Sequence, residues 1–409
     1  MSQTTLSSDN TTALPAPQVG ATTVGLGASA LLGAWLFAMH GLEQGLFFLI
    51  GIGLGVSLYH ARFGFTSAFR QLMAVGQGTT LRAHLLMLTV ACILFAPLLA
   101  YGSSLFGGEL QGYVFPISMG VAVGGFMFGI GMQLGGSCAS GSLYTVGSGQ
   151  SSIVITLLGF IAGSVWAAHD FAFWMQPDLQ WRTVSLADTS WGYPGAIVMQ
   201  LGVFAVIAAA TYAIEKRLRP PRRQTPPHAN GWARVLRGAW PLWAGAIALA
   251  ALNALTLWTS GKPWGITSAF ALWGSKAVAA TGADVGQWFY WSELHAGALD
   301  KPILADRTSV MDFGIILGAM TAASIGGRFT IASHIPWRTV IARIIGGVLM
   351  GYGARIAFGC NIGAYFGGIA SFSLHGWLWG VVALGGTVVG IKLRPLFGLG
   401  VPKRSDGVC

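Results

Sequence analysis

Two cysteines carry the most suggestive chemistry in the chain. Cys138 sits in GGSCASG (135–141) and Cys360 in FGCNIGA (358–364), each where an apolar helical pattern dissolves into glycines. A helix interrupted at membrane depth leaves backbone N–H groups pointing into the gap, and a helix N-terminus carries about half a positive charge. Such ends hold anions without committing a full cation to the bilayer. Ser137 and Ser140 flank Cys138, and Asn361 follows Cys360, which lies between Gly359 and Gly363. Two further broken stretches read GFTSAF (64–69) and GITSAF (265–270), and supply Gly64, Thr66 and Ser67, then Gly265, Thr267 and Ser268. Small hydroxyls and helix ends suit a small anion. A thiol is a poor partner for a hard anion but suits a soft, sulfur-bearing one, by weak S–H donation or reversible sulfur exchange. Arg355, five residues before Cys360, adds a charge that is costly at membrane depth; it either attracts anions, locks a broken segment through backbone carbonyls, or snorkels to the interface.

The elements that must position these residues are read from bulk composition. Hydrophobic residues make up 54% and charged residues 9% of 409 residues, against about 25% charged in a typical soluble domain, and the mean hydropathy is +0.63. The chain is expected to be an all-α polytopic membrane protein. Apolar runs fall at 22–40, 44–60, 81–101, 115–134, 151–172, 194–215, 239–258, 309–327, 339–357 and 374–391. Each is close to the roughly 20 residues that cross a bilayer as a helix. Four shorter Gly/Ser-rich stretches, 62–75, 136–149, 264–280 and 359–372, are too broken to span. About nine or ten transmembrane helices plus four short re-entrant helices are predicted.

An internal duplication organises these elements. Placed over each other, GGFMFGIGMQLGGSCASG (124–141) and GGVLMGYGARIAFGCNIG (346–363) match Gly124, Gly125, Gly129, Gly131, Cys138 and Gly141 with Gly346, Gly347, Gly351, Gly353, Cys360 and Gly363, ungapped. The TSAF stretches match too. The expected organisation is a disordered cytoplasmic tail (1–20), an additional N-terminal span (21–43), a first repeat (44–193), a linking span with a basic cytoplasmic linker (194–238), a second repeat (239–392) and a cytoplasmic tail (393–409). One span between the repeats inverts the second relative to the first, the architecture of secondary transporters with a midplane site.

Charge gives an independent reading of orientation. Lys216, Arg217, Arg219, Arg222, Arg223, Arg234 and Arg237 cluster in the central linker, which the positive-inside tendency places in the cytoplasm. Counting by spans puts Arg62, Arg70, Arg82, Arg328, Arg338, Lys392, Arg394, Lys403, Arg404 and both termini on that side. Glu109, Asp178, Asp188, Glu293, Asp300 and Asp306 fall outside. The first TSAF and Cys138 segments then enter from the cytoplasm, and the second TSAF and Cys360 segments from outside. This distribution also accounts for the net charge of +10 without nucleic acid as a partner. The bilayer is the implied partner. Catalytic constellations are missing: there is no HExxH and no Walker A sequence, and no enzyme activity or cofactor is expected. Cys92, in LLMLTVACILFAPLL, reads as lipid-facing or core, Cys409 as an exposed thiol in a polar tail, Lys276 as a collector of anions outside, Arg62 and Arg70 as topological charges with anion release as the alternative, and His375 as a cap on the last span with proton coupling as the alternative.

Three stretches, GARIAFGCNIGAYFGGIASFSLHGWLWG (353–380), GGSCASG (135–141) and ARFGFTSAFR (61–70), resemble motifs of the YeeE/YedE membrane family, the sulphur transport domain family. The resemblance implies a nine-span core of two inverted halves with four short pore-lining helices, residing in a bacterial inner membrane. It also implies inward movement of thiosulfate or a related sulfur anion past cysteines, of which Cys138 and Cys360 match. Where the family commonly has a third cysteine, this chain has Gly64. Rival readings are transport of another sulfur or selenium compound, and a membrane sulfur-transfer enzyme whose Cys138 passes a persulfide to a soluble cytoplasmic acceptor docked on the basic linker. A membrane sensor or assembly subunit is a third, though no signalling domain is recognisable.

Overall fold

The computed structural model describes residues 14–220, 228–331 and 334–403. The expected tail at 1–13, Arg222 and Arg223 of the linker, and Arg404 and Cys409 therefore lie outside the described residues. The chain is nearly all helical, and among the described residues nine segments are long and apolar enough to cross a membrane. The protein is a polytopic helical membrane protein.

The first half holds α1 (Val19–Ala61), α2 (Phe65–Val75), α3 (Thr79–Tyr101), α4 (Met119–Gly135), α5 (Ala139–Gly147), α6 (Ser152–His169) and the short α7 (Phe171–Trp174). The linking span α8 (Gly192–Leu218) and the short α9 (Trp232–Arg237) follow. The second half holds α10 (Leu242–Ser260), α11 (Thr267–Ala279), α12 (Phe289–Ser292), α13 (Arg307–Ile325), α14 (Trp337–Ile356), a π-helical turn at Asn361–Gly367, α15 (Gly368–Ala370) and α16 (Leu374–Leu393). Helix α1 begins at Val19, so the end of the polar N-terminal segment is already helical.

Helix α1 combines the two runs expected at 22–40 and 44–60. Gly41 departs from helical geometry at φ 80, ψ −174, a backbone open to glycine at little cost. The chain folds back there, placing Phe37 against Gly45 and Phe48 against Gly33. Both limbs of this hairpin pack on α13, through Gly25 beside Thr321 and Gly51 beside Met311. The run expected as a span from 115 opens instead with strand β1 (Pro116–Ser118), paired antiparallel with β2 (Gln180–Thr183). Ser118 then caps α4, its Oγ accepting from the Val121 N–H at 3.1 Å, and this is why the helix starts at Met119.

Helix contacts recur when the halves are exchanged. α1 packs on α13 and α10 on α3; α4 packs on α16 and α14 on α6; α2 packs on α16 and α11 on α6; α5 packs on α13 and α15 on α3. Glycines allow the close approaches, as small residues do between membrane helices. A Cβ on Gly163 would lie 2.2 Å from the Val348 carbonyl oxygen and one on Gly386 2.1 Å from that of Phe126. Likewise a Cβ on Gly351 would meet the Phe160 oxygen at 2.1 Å and one on Gly129 the Ala383 oxygen at 2.3 Å. The central α4–α14 pair crosses through Gly124 against Gly353 and Gly131 against Gly346.

Candidate functional site

The four broken stretches become four short helical segments. Gly64 precedes α2 in extended conformation, and Ser67 donates to its carbonyl at 3.0 Å. Ile266 precedes α11. Cys138 and Cys360 occupy matching places just before α5 and the π-helical turn, with φ/ψ of −93/−171 and −100/−162. Cys360 is itself a cap: its Sγ accepts from the Ile362 N–H at 3.4 Å. Its carbonyl accepts from Ala364 at 2.9 Å and Tyr365 at 3.3 Å, the second of these the i→i+5 bond that widens the turn. Cys138 Sγ lies 3.6 Å from Ser140 Oγ. Gly359 is required by its backbone, at φ 151 with a would-be Cβ 2.6 Å from the Ala364 nitrogen.

Two cavities reach these segments. The first, about 610 Å³, is lined by Gly64, Thr66, Ser67, Ser137, Cys138 and Gly141 together with five arginines, Arg62, Arg70, Arg237, Arg328 and Arg343. The second, about 500 Å³, is lined by Gly265, Thr267, Ser268, Arg355, Gly359 and Gly363, with Lys262, Arg307, Tyr113, Tyr290 and His295. Among the described residues, neither lining contains a carboxylate. They lie at opposite ends of α13, since Gly326 just past its C-terminus lines the first and Arg307 at its N-terminus the second. At 1.5 Å per residue that helix is about 28 Å long, close to the hydrocarbon thickness of a bilayer.

Between the cavities the packing is tight. Cys360 and Asn361 line neither cavity and are 1% and 0% exposed, and Ser140 is 1% exposed. Segment α5 packs directly on the π-helical turn, so the elements opened by the two cysteines meet. Several polar groups on these segments have no hydrogen-bond partner among the described residues: Asn361 Nδ2 and Oδ1, Thr66 Oγ1 and Ser142 Oγ. Buried polar groups are usually satisfied, and an unsatisfied cluster beside two thiols has the donors and acceptors a transient small ligand needs.

Arg355 is 8% exposed. Its Nη1 donates to the Tyr290 hydroxyl at 2.6 Å and its Nη2 to the Thr267 carbonyl, and the guanidinium lies 5.0 Å from the Tyr290 ring centroid. Of the three sequence readings, the carbonyl lock describes the contact, but the segment it ties down is α11 rather than its own. It also lines the second cavity, so a snorkelling role does not describe it. Burial, aided by Arg355 and Lys262, pushes the His295 imidazole down to about 4. The ring is neutral at neutral pH, and the positive charge of this cavity comes from Lys262, Arg307 and Arg355.

Other expectations fall outside the site. Lys276 is tied to the Leu299 carbonyl at 2.5 Å and does not line the second cavity. His375 is not the cap of α16; Ser373 holds that place, and its Oγ lies 2.6 Å from His375 Nδ1. Cys92 is fully buried core, with Sγ 3.9 Å from the Ile369 carbonyl. Arg237 and Arg328 read from sequence as topological charges, Arg62 and Arg70 as topological with anion release as the alternative, and nothing in the sequence singles out Arg343, Lys262 or Arg307; their clustering around glycines and hydroxyls arises only when distant segments fold together.

Comparison with known proteins identifies the family. A thiosulfate transporter, TsuA, of Spirochaeta thermophila is 29% identical over 338 residues, covering 81% of this chain and 92% of that protein. The TsuA of Escherichia coli K12 is 26% identical over 341 residues, covering 81% of this chain and 88% of its own. A probable transporter, YedE, of Salmonella typhimurium is 30% identical over 160 residues, 38% of this chain. Two of these relatives are named as thiosulfate transporters and one as a probable transporter, and with residues 60–389 matching the sulphur transport model, the chain belongs to the sulphur transport family.

Proposed function

We propose that the protein is an inner-membrane permease that takes up thiosulfate, with the two halves arranged as inverted repeats around a central barrier. The observation that carries this reading is the pair of carboxylate-free, basic cavities at opposite ends of α13, each reaching a broken segment headed or preceded by the motif residues. Basic, low-dielectric clefts concentrate anions. The N-terminal residues of α2 and α5 line one cavity and those of α11 the other, so helix ends add positive potential where the path narrows. Thiosulfate enters at Lys262, Arg307 and Arg355 and passes Thr267, Ser268, Gly265, Gly359 and Gly363. It crosses the barrier at Cys360, Asn361, Ser140 and Cys138, and leaves past Ser137, Thr66, Ser67 and Gly64 into the arginine-lined cavity. The soft terminal sulfur of the anion is the feature a thiol-lined barrier distinguishes from sulfate. The relatives named for thiosulfate transport support the choice of substrate. The positive-inside distribution supports placing both termini and the Arg237 cavity in the cytoplasm.

Uptake of labelled thiosulfate into proteoliposomes tests this. Wild-type protein accumulates label, excess sulfate leaves uptake intact, and Cys138→Ala with Cys360→Ala together reduce it to the level of empty liposomes. Unimpaired uptake by the double variant would remove the thiols from the mechanism, and stronger competition by sulfite or selenium compounds than by thiosulfate would reassign the substrate.

A further inference from the structure

The path described above leaves a buried carboxyl on α13 without a role. Asp312 lies on α13 with 0% exposure, and neither carboxyl oxygen has a hydrogen-bond partner. An ionised carboxylate held this way in an apolar interior is strongly disfavoured, and ionisable groups inside membrane helices are rare unless they move protons or ions. One turn toward the helix start, Thr308 Oγ1 accepts from Ser268 at 3.0 Å, and Ser268 lines the second cavity. Thr308 and Asp312, four residues apart, share a face of α13, so this pair of hydroxyls links the cavity to the face that carries the carboxyl.

Among the described residues, the groups facing Asp312 supply no hydrogen-bonded counter-charge. Asp306, at the head of the same helix, acts on it with like sign. Helix α1 brings Gly51 and Gly55 to this stretch of α13. Helix α5 carries Tyr144, and α11 carries Lys276, which is engaged by the Leu299 carbonyl. Arg307 donates to Ser260 Oγ at 2.5 Å. Helix α9 meets the far end of α13, where the Arg237 carbonyl lies beside Gly326. The matching position in the first half is also occupied by a titratable residue. Asp312 is the sixth residue of α13 and His84 the sixth of α3, and His84 too is fully buried with both ring nitrogens unpartnered.

We infer that Asp312 is a proton-carrying site that couples uptake of the sulfur anion to inward proton movement. This rests on the transport reading above and supplies what it lacks, because a divalent anion entering a negative-inside cell moves against the membrane potential with both charges. The carboxylate takes a proton from water in the second cavity by way of the Ser268–Thr308 hydroxyls. The neutral acid fits the unpaired setting and removes a buried negative charge from the helix that runs between the two cavities while the anion passes. The proton then leaves to water in the first cavity, restoring the carboxylate.

The test uses full-length protein in liposomes loaded with a pH-sensitive dye, with thiosulfate added outside and its entry followed by label. Wild-type vesicles acidify as thiosulfate enters. Asp312→Asn, which resembles the neutral acid in shape, and Asp312→Ser, a second carboxyl-free variant should the first not fold, admit thiosulfate down its gradient but lose the coupled acidification. Asp312→Glu restores it. Thiosulfate entry into wild-type vesicles without acidification, or acidification by the carboxyl-free variants at the wild-type ratio, overturns the assignment while leaving transport intact. Absence of thiosulfate entry in wild-type vesicles overturns the transport reading and the coupling with it.

Discussion

At the residue scale, the thiols were legible because duplication wrote them twice, whereas Asp312 was not. Its counterpart is His84, and a comparison of like residues passes over a pair that shares only burial and ionisability. The arginines were legible as charges but not as a cavity lining, since Arg62, Arg237 and Arg343 are far apart in sequence and converge only through packing. Gly64 offers a direct test of what the third family cysteine would do. Its φ of −118 is ordinary for any residue, and a Cβ there meets only the Ser67 hydroxyl closely, at 2.8 Å, the mobile end of a small side chain. Gly64→Cys is therefore expected to change stability by less than about 1 kcal/mol and to place a new thiol in the same cavity as Cys138. Thermal unfolding checks the first part. Thiol titration in the native state, with Cys138→Ala as background, checks the second; a new thiol that reacts only after unfolding would show that the position does not face the cavity.

At the element scale, the sequence pattern found the spans better than their interruptions. An apolar run reads alike whether its backbone bonds are i→i+4 or i→i+5, so the π-helical turn after Cys360 was expected only as a broken stretch. The extended Pro116–Ser118 segment was hidden for the same reason inside a run long enough to span. Glycine spacing was more informative, because GxxxG marks places where backbones touch. Gly351 is the sharpest case: a Cβ would lie 2.1 Å from the Phe160 carbonyl oxygen, and a backbone atom cannot swing aside. Gly351→Val is expected to separate α14 from α6 and to cost at least about 1–3 kcal/mol through overpacking. Gly202, on α8 with nothing within 4 Å of a would-be Cβ, provides the contrast. Gly202→Ala is expected to be neutral or to stabilise by about 0.5–1 kcal/mol through helix propensity. Thermal unfolding of both variants in one detergent separates packing from propensity, and equal melting temperatures would refute the contact-based account.

At the scale of the whole molecule, the two cavities make a statement about sidedness that charge counting alone cannot. Arg62, Arg70, Arg237, Arg328 and Arg343 line the first cavity, whereas Glu293 and Asp306 are next in sequence to Leu294 and Arg307 of the second. If the positive-inside tendency governs insertion, the first cavity opens to the cytoplasm and the second to the outside. The tight packing at Cys360 and Asn361 between them should block small polar reagents from crossing. Thr145 lines the first cavity and Leu294 the second, and neither belongs to the proposed path, so each can report access. A membrane-impermeant maleimide applied to intact cells is expected to label Leu294→Cys and leave Thr145→Cys untouched, while inside-out vesicles show the reverse. Thiosulfate in the medium should slow labelling at the accessible position, because the anion occupies the same basic cavity, and sulfate at equal concentration should slow it less if the thiols contribute to recognition. Labelling of both positions from one side would contradict the opposed cavities. Labelling of each from both sides would mean that the barrier at Cys360 does not close the path between them.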